Sequence, residues 1–244
     1  NKMDVVGADF AATIQSARDK LGANAIAYNL PIGRENDFKG VVDLLTEKAY
    51  VWEGDETGAK FSEVQVPADM AHQVKVAREK LVEEICGTDD VLMEKFLSGG
   101  QITVNELKTA LRKAVISNKI VPVLAGSALR NKGVQPMLDA VVEYLPSPQD
   151  IVSEIKADPN APFAALAFKI QVDPHVGKLT YIRIYAGTLK SGSYVYNASK
   201  QIKERVGRLL LMHANDREEI DQGFAGEIVA AVGLKDTVTG NTLC

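Results

Sequence analysis

KIVPVLAGSALRNKGVQPMLDAVVEYLPSP, residues 119–148, is the stretch that decides the fold. Its first ten residues are a compact apolar run ending in small side chains, which predicts a buried parallel strand running into a turn. From Gly133 the spacing becomes helical: Val134, Leu138, Val141 and Leu145 share one face, expected to be the buried one. Strand, turn and helix make half of an α/β unit. The Pro-rich stretch 146–162 then marks the best domain boundary in the chain. Beyond it the period changes to two. Ala164, Leu166, Phe168 and Ile170 alternate with polar or small neighbours, as do Thr180, Ile182 and Ile184. Turn signals recur at Asp173–Pro174, at Lys190 to Gly192 and at Gly240–Asn241. Residues 163–244 are therefore predicted to be an all-β barrel.

Upstream of the deciding stretch the signals are mixed. Phe10, Ile14, Ala17 and Leu21 lie on one face of a helix over 9–21, with Gly22 placed to end it. Two β-like runs, 25–32 and 40–52, flank the polar turn GRENDFK. Met70, Val74, Ala77, Leu81 and Ile85 predict a helix within 67–87. Asp89 or Asp90 is placed to cap a short helix through Leu97 that stops at Gly99 and Gly100. Thr103 and Glu106 have the spacing of a capping box before Leu107, Leu111 and Val115.

The totals exclude several classes. With 46% apolar and 25% charged residues in 244, the composition is that of a globular chain and not of a disordered or fibrous one. A net charge of −4 gives no global electrostatic reason to bind nucleic acid. Cys86 and Cys244 have no zinc-type spacing, and low cysteine use fits a reducing, cytoplasmic setting. No run reaches the roughly 20 apolar residues that span a bilayer, so no membrane partner is expected. The chain starts without an initiator Met, which leads us to expect an internal piece of a longer protein.

Chemistry concentrates in two short segments. Asn1-Lys2-Met3-Asp4 has the residue types that reading guanine requires. Guanine offers two adjacent donors, a ring N–H and an exocyclic amine, and the Asp4 carboxylate supplies the matching acceptor pair. Asn1 is suited to the Hoogsteen side of the purine, and the Lys2 stem to lying flat on the ring with its amine solvated. A solvated turn is the plainer account of the same four residues. In LAGSAL, the small residues Gly126, Ser127 and Ala128 would let backbone N–H groups approach the base carbonyl. GSALRNKG approaches a phosphate loop of the form GxxxxGK[ST], but Asn131 replaces the second Gly and Gly133 the hydroxyl residue, so it is rejected. His72, His175 and His213 lack triad or metal spacing. Glu79, Glu83 and Glu84 are taken as a solvated helix face. Lys200, Lys203, Arg205, Arg208 and Arg217 suit either a nucleic-acid backbone or a solvated edge.

Together these residues resemble bacterial elongation factor G, the family of ribosomal translocation GTPases. NKMD with GADF, LPIG with FKGVVDLL, PADM, GSALRNKGVQPMLDAVVEYLPSP, ALAFKI, RLLLMHAN with REEI, and GLKDTVTGNTL run in the family's order across nearly the whole chain. The resemblance implies that Asn1, Lys2 and Asp4 form the guanine-specificity motif and that Ser127 and Ala128 form the second base-contacting element. It implies an α/β fold, a partial P-loop GTPase-type domain over 1–24 and 116–146, interrupted by an inserted α+β subdomain at 25–115. A linker at 147–162 and the β-barrel, domain II, at 163–244 follow. The implied ligands are GTP and GDP, with Mg2+ held by residues outside this chain. The phosphate loop, switches and catalytic histidine precede the guanine motif in the family, so no catalytic and no metal-ligating residue is expected here, and this piece alone is expected to be inactive.

Implied partners are the ribosome, through small-subunit rRNA at the barrel and the stalk protein at the insert, with tRNA and mRNA affected indirectly and the protein itself a monomer. Val5 departs from the family, which often carries a basic residue there. Two alternatives stand beside this expectation: a stand-alone ribosome-binding module without nucleotide, and a ribosomal-protection or release-type factor of the same superfamily.

Overall fold

The structure, a computed structural model, describes residues 1–52, 57–151, 154–174, 176–214 and 216–244. It divides into two compact units, Asn1–Pro146 and Ser147–Cys244. In the first, a parallel pair of strands, Ala25–Ala27 with Val121–Val123, carries the α/β part. An antiparallel sheet follows in the order Asn29–Ile32, Gly40–Asp43, Lys48–Val51 and Ser62–Val64. The run expected as a single strand over 25–32 is thus broken at Tyr28, and its two halves pair in different sheets. The strand at 121–123 is parallel as expected but not buried, since Val121 is exposed.

Helix starts follow local chemistry. Asp9 accepts from Ala12 N and opens Phe10–Leu21, which ends at Gly22 in the left-handed region at φ 61°. Asp89 caps Asp90–Leu97 in the same way. The helix Ala71–Cys86 buries Val74, Leu81 and Ile85, the positions its periodicity selects. Thr103 and Glu106 form the expected reciprocal box at the start of Val104–Ile116, whose Leu107 and Leu111 are buried. These side chains meet Ile26, Leu44, Ile120 and Tyr144 in one core.

The helix Val134–Tyr144 corrects an expectation. Leu138, Val141 and Leu145 are exposed, and Ala140 and Tyr144 are the residues that enter the core. Tyr144 seats edge-on against Tyr28, ring centroids 5.5 Å apart, with the two hydroxyls 3.3 Å apart. Burial is the main reason that both phenols titrate well above the usual tyrosine range.

Glu106 also receives Lys95 Nζ at 2.6 Å, joining the helices Asp90–Leu97 and Val104–Ile116. That bond, followed by the Thr103 backbone and hydroxyl bonds, lowers its carboxyl pKa to about 2, against an ordinary 4.5. Because the folded value is the depressed one, the stabilisation is complete above 4.5 and is lost as pH falls toward 2. Glu106→Gln is expected to lower the urea midpoint at neutral pH and to flatten its fall over that window, so that variant and parent converge toward pH 2. A parallel acid profile in the variant would contradict the assignment.

The second unit holds an antiparallel eight-stranded sheet and a smaller antiparallel pair, Thr188–Lys190 with Gln222–Phe224. The spatial order of the larger sheet is Ile202–Arg205, Tyr194–Asn197, Asn241–Leu243, Ala164–Asp173, Gly177–Ala186, Ile228–Val232, Arg208–His213 and Asp216–Ile220. Ala165, Ile182, Ile184, Val195, Leu209, Val229 and Leu243, from strands far apart in that order, share one core, so the sheet curls around it. Thr180, Ile182 and Ile184 face inward as expected. In the preceding strand the phase is reversed: Ala165 and Ala167 are buried and Phe168 is exposed, with a register shift between Ala167 and Lys169.

Beneath the 235–238 loop, the buried Glu204 accepts from Asp236 N at 2.8 Å and from the Thr237 hydroxyl. Burial pushes its pKa up, but these bonds and Asn197 outweigh it, and the carboxylate stays charged. Lys178 Nζ donates to the carbonyls of Lys235 and Thr237, both at 2.7 Å, and Lys200 Nζ donates to that of Asp236.

Candidate guanine-reading site

Both segments singled out in the sequence sit at turns, and the fold brings them together. Asn1 Oδ1 accepts from Ala128 N at 3.0 Å across an interval of 127 positions, and also from Lys2 N at 2.7 Å. Met3 N donates to Gly126 O at 3.2 Å. The Met3 side chain is 5% exposed and packs with Phe38, Val41, Trp52 and Ala125, which pins the loop from below. Lys2 adopts φ 64°, so the chain turns outward on either side of that anchor.

Ser127, Ala128 and their neighbours form a tight reversal. Ser127 N donates to Lys132 O at 2.9 Å and Lys132 N returns to Ser127 O at 3.0 Å, while Asn131 N bonds Ala128 O. The glycines at its ends are required by close approach. A Cβ on Gly133 would lie 2.9 Å from Ala125 O, and one on Gly126 would lie 3.0 Å from Lys132 O. These small residues therefore shape a backbone crossing and not a phosphate cradle.

Asp4 is the electrostatic centre. Its pKa is lowered chiefly by the Ser127 hydroxyl, against an opposing effect of burial, with smaller help from Arg130 and Lys132. Arg130 Nε stands 3.8 Å from Asp4 Oδ2. The Ser127 hydroxyl is fully buried and lowers the Asp4 pKa, yet its geometry falls short of a hydrogen bond to any protein group. With the Ala128 N–H held by Asn1 Oδ1, a charged acceptor pair beside an unsatisfied buried hydroxyl remains, a set suited to a planar ring that carries donors.

Three contributors to this geometry are not identified by the sequence. Glu35 N donates to Met3 O at 2.8 Å, and Glu35 Oε1 accepts from Gly7 N at 2.8 Å. Lys132 Nζ donates to Phe38 O at 3.0 Å. Asn29, buried in the first strand of the antiparallel sheet, accepts from Ala125 N at 2.7 Å. Only the polar character of GRENDFK and of Asn29 within an apolar strand hinted at them.

The remaining candidates do not converge. His72 lies on the helix Ala71–Cys86 and His213 is exposed at the end of the strand Arg208–His213, while His175 lies outside the described residues. Among the described residues no group of three His, Cys, Asp or Glu side chains could hold a metal ion. The basic stretch of the second unit is largely engaged. Lys203 lies over the Tyr194 ring at 4.9 Å, Arg208 reaches Glu219 at 3.7 Å and Arg217 reaches Asp173 at 3.2 Å.

Comparison with known proteins identifies the family. Residues 1–147 match the family model of the elongation factor Tu GTP-binding domain, and residues 177–244 match that of elongation factor Tu domain 2. A crystal structure of a protein from Thermus thermophilus superposes with a TM-score of 0.81 at 31% identity, over 99% of this chain and 34% of that one. The chain thus spans about a third of the length of that protein. From a GTP-binding domain matched along its whole first unit and a domain 2 matched in its second, this chain belongs to the translational GTPase family of elongation factor Tu type.

Proposed function

We propose that this chain is the base-reading part of the GTPase domain, with its insert and adjoining barrel, of a ribosomal translocation factor of the elongation factor G type. In this proposal GTP binding and hydrolysis by the whole protein drive movement of tRNA and mRNA in the cytoplasm. The observation that carries it is the meeting of Asn1 and Ala128 at 3.0 Å beside the charged Asp4 and the buried Ser127 hydroxyl. That set fits a guanine base. Asp4 accepts from the ring N–H and amine, the Ala128 region donates to the base carbonyl, Asn1 serves the Hoogsteen side and the Lys2 stem covers the ring.

The 244 residues contain no GxxxxGK[ST] sequence. Hydrolysis needs stabilised phosphate charge and an aligned water. We therefore assign phosphate and Mg2+ binding to residues outside this chain, and expect no hydrolysis from it alone. The domain division proposed is 1–24 with 116–146 for the GTPase part, an insert at 25–115, a linker at 147–162 and a barrel at 163–244. Small-subunit rRNA is the proposed partner of the barrel and the stalk protein that of the insert, with the factor acting as a monomer. No helix among the described residues is long and apolar enough to cross a membrane.

The test is a paired titration with GDP and ADP, on this chain and on the full-length protein that contains it. A silent short chain and a full-length protein that strongly prefers GDP are expected. A full-length protein that binds neither nucleotide overturns the assignment and favours a stand-alone ribosome-binding module.

A further inference from the structure

The turn Gly33–Lys39, between the first two strands of the antiparallel sheet, supplies no group to the base itself, yet it touches both base-reading loops. Glu35 makes two bonds to the first of them. Its backbone N–H reaches Met3 O and its carboxylate takes Gly7 N–H, both at 2.8 Å, so the two contacts bracket Asp4. The loop's own bonds are sparse, Lys2 N to Asn1 Oδ1, Val5 N to Lys2 O and Ala8 N to Val5 O. Gly7 sits at φ 84°, where glycine has no preference for one form, so an outside contact is what fixes it.

The same hairpin holds the second loop. Lys132 Nζ bonds Phe38 O, and Asn29 accepts Ala125 N immediately before Gly126. Glu35 itself adopts φ 54°, an unfavourable backbone for a non-glycine residue, in a turn that needs Gly33 because a Cβ there would lie 2.0 Å from Asp37 O. A glycine at 35 would suit that backbone better. What a glycine cannot do is hold Gly7.

We infer that Glu35 is a positioning residue for the guanine-reading loop, and that through it the inserted subdomain sets how sharply the protein tells guanine from other bases. The inference rests on the proposed guanine site at Asn1, Asp4, Ser127 and Ala128. Its mechanism is geometric: Asp4 must present both carboxylate oxygens to two adjacent donors, and a loop freed at Gly7 lets that carboxylate turn away. Inosine diphosphate lacks the exocyclic amine, so its binding depends on one of those oxygens fewer than GDP binding does.

The experiment measures Kd for GDP, inosine diphosphate and ADP on the full-length protein, as parent, Glu35→Gln and Glu35→Gly, together with Tm. Glu35→Gln keeps an acceptor for Gly7 N–H and is expected to stay within about twofold of the parent. Glu35→Gly is expected to lose about three- to tenfold in GDP affinity, a part of the worth of one charge-assisted bond because the contact acts through the loop, with a smaller loss for inosine diphosphate and no fall in Tm. Unchanged GDP and inosine diphosphate affinities in Glu35→Gly overturn the positioning role, as does an equal loss for both accompanied by a lower Tm. A parent that does not separate GDP from ADP instead removes the guanine site itself, which keeps the two failures apart.

Discussion

Replacing Asp4 by asparagine is expected to lower the affinity of the full-length protein for GDP by about 10³–10⁴-fold, because a buried hydrogen-bonding site that mispairs rejects its ligand on that scale. The cause is a reversal of one bond. Guanine presents two donors in a row, and asparagine offers one acceptor and one donor in place of two acceptors. Xanthine carries a carbonyl where guanine carries its amine, so Asp4→Asn is expected to gain xanthosine diphosphate as it loses GDP. The fold should tolerate the change, since the nearest cation, Arg130, stands 3.8 Å away and is mostly exposed. A competition series of GDP, xanthosine diphosphate and ADP, with circular dichroism as the folding control, decides it. Equal loss of all three purine nucleotides would mean that Asp4 supports the loop without reading the base.

The largest expected effect on stability belongs to Tyr144. The helix Val134–Tyr144 enters the core through Ala140 and Tyr144 alone among its buried residues, so one ring carries most of its attachment. Tyr144→Ala is expected to cost about 3–5 kcal/mol, the range for truncating a large buried aromatic, as read from urea unfolding. Tyr144→Phe is expected to cost about 1 kcal/mol, since it deletes one neutral hydrogen bond while Tyr28 keeps Asp43 Oδ2 at 3.2 Å. If the two variants unfold at the same urea concentration, the hydroxyl pair and not the ring anchors the helix. Surface bonds from Lys108 to Glu143 and from Arg112 to the Glu143 and Leu145 carbonyls would then be the remaining attachment.

The features legible in the sequence are those decided by neighbours along the chain. Asp89 and the Thr103–Glu106 pair announce their helices because a cap acts over three residues. Met70 to Ile85 declares a buried face because its partners lie in the same unit. Where the outcome depends on curvature, the pattern misleads. The strand Ala164–Asp173 turns its alanines inward because the interior of a strongly curled sheet has room for small side chains, and the larger Phe168 faces out past a register shift. Leu138 and Val141 form an apolar stripe that the sequence identifies, yet only tertiary structure reveals that Tyr144, one turn away, is the residue taken into the core. The site divides the same way. Asp4 and Asn1 are named by the chemistry of a base edge, whereas Glu35 and Lys132 act across 28 and 94 positions, beyond any local signal.

The 235–238 loop of the barrel is held mainly by its main chain. Lys178 and Lys200 grip the carbonyls of Lys235, Asp236 and Thr237, and Glu204 takes the Asp236 amide, so of the loop's side chains it is that of Thr237 that joins the lattice of bonds to Glu204. Such a loop is indifferent to what positions 235 and 236 spell and strict about how many residues it contains. Lengthening it by one would strip two ammonium groups of their acceptors and leave a buried carboxylate half-solvated, so its length, more than its lettering, is what the barrel constrains.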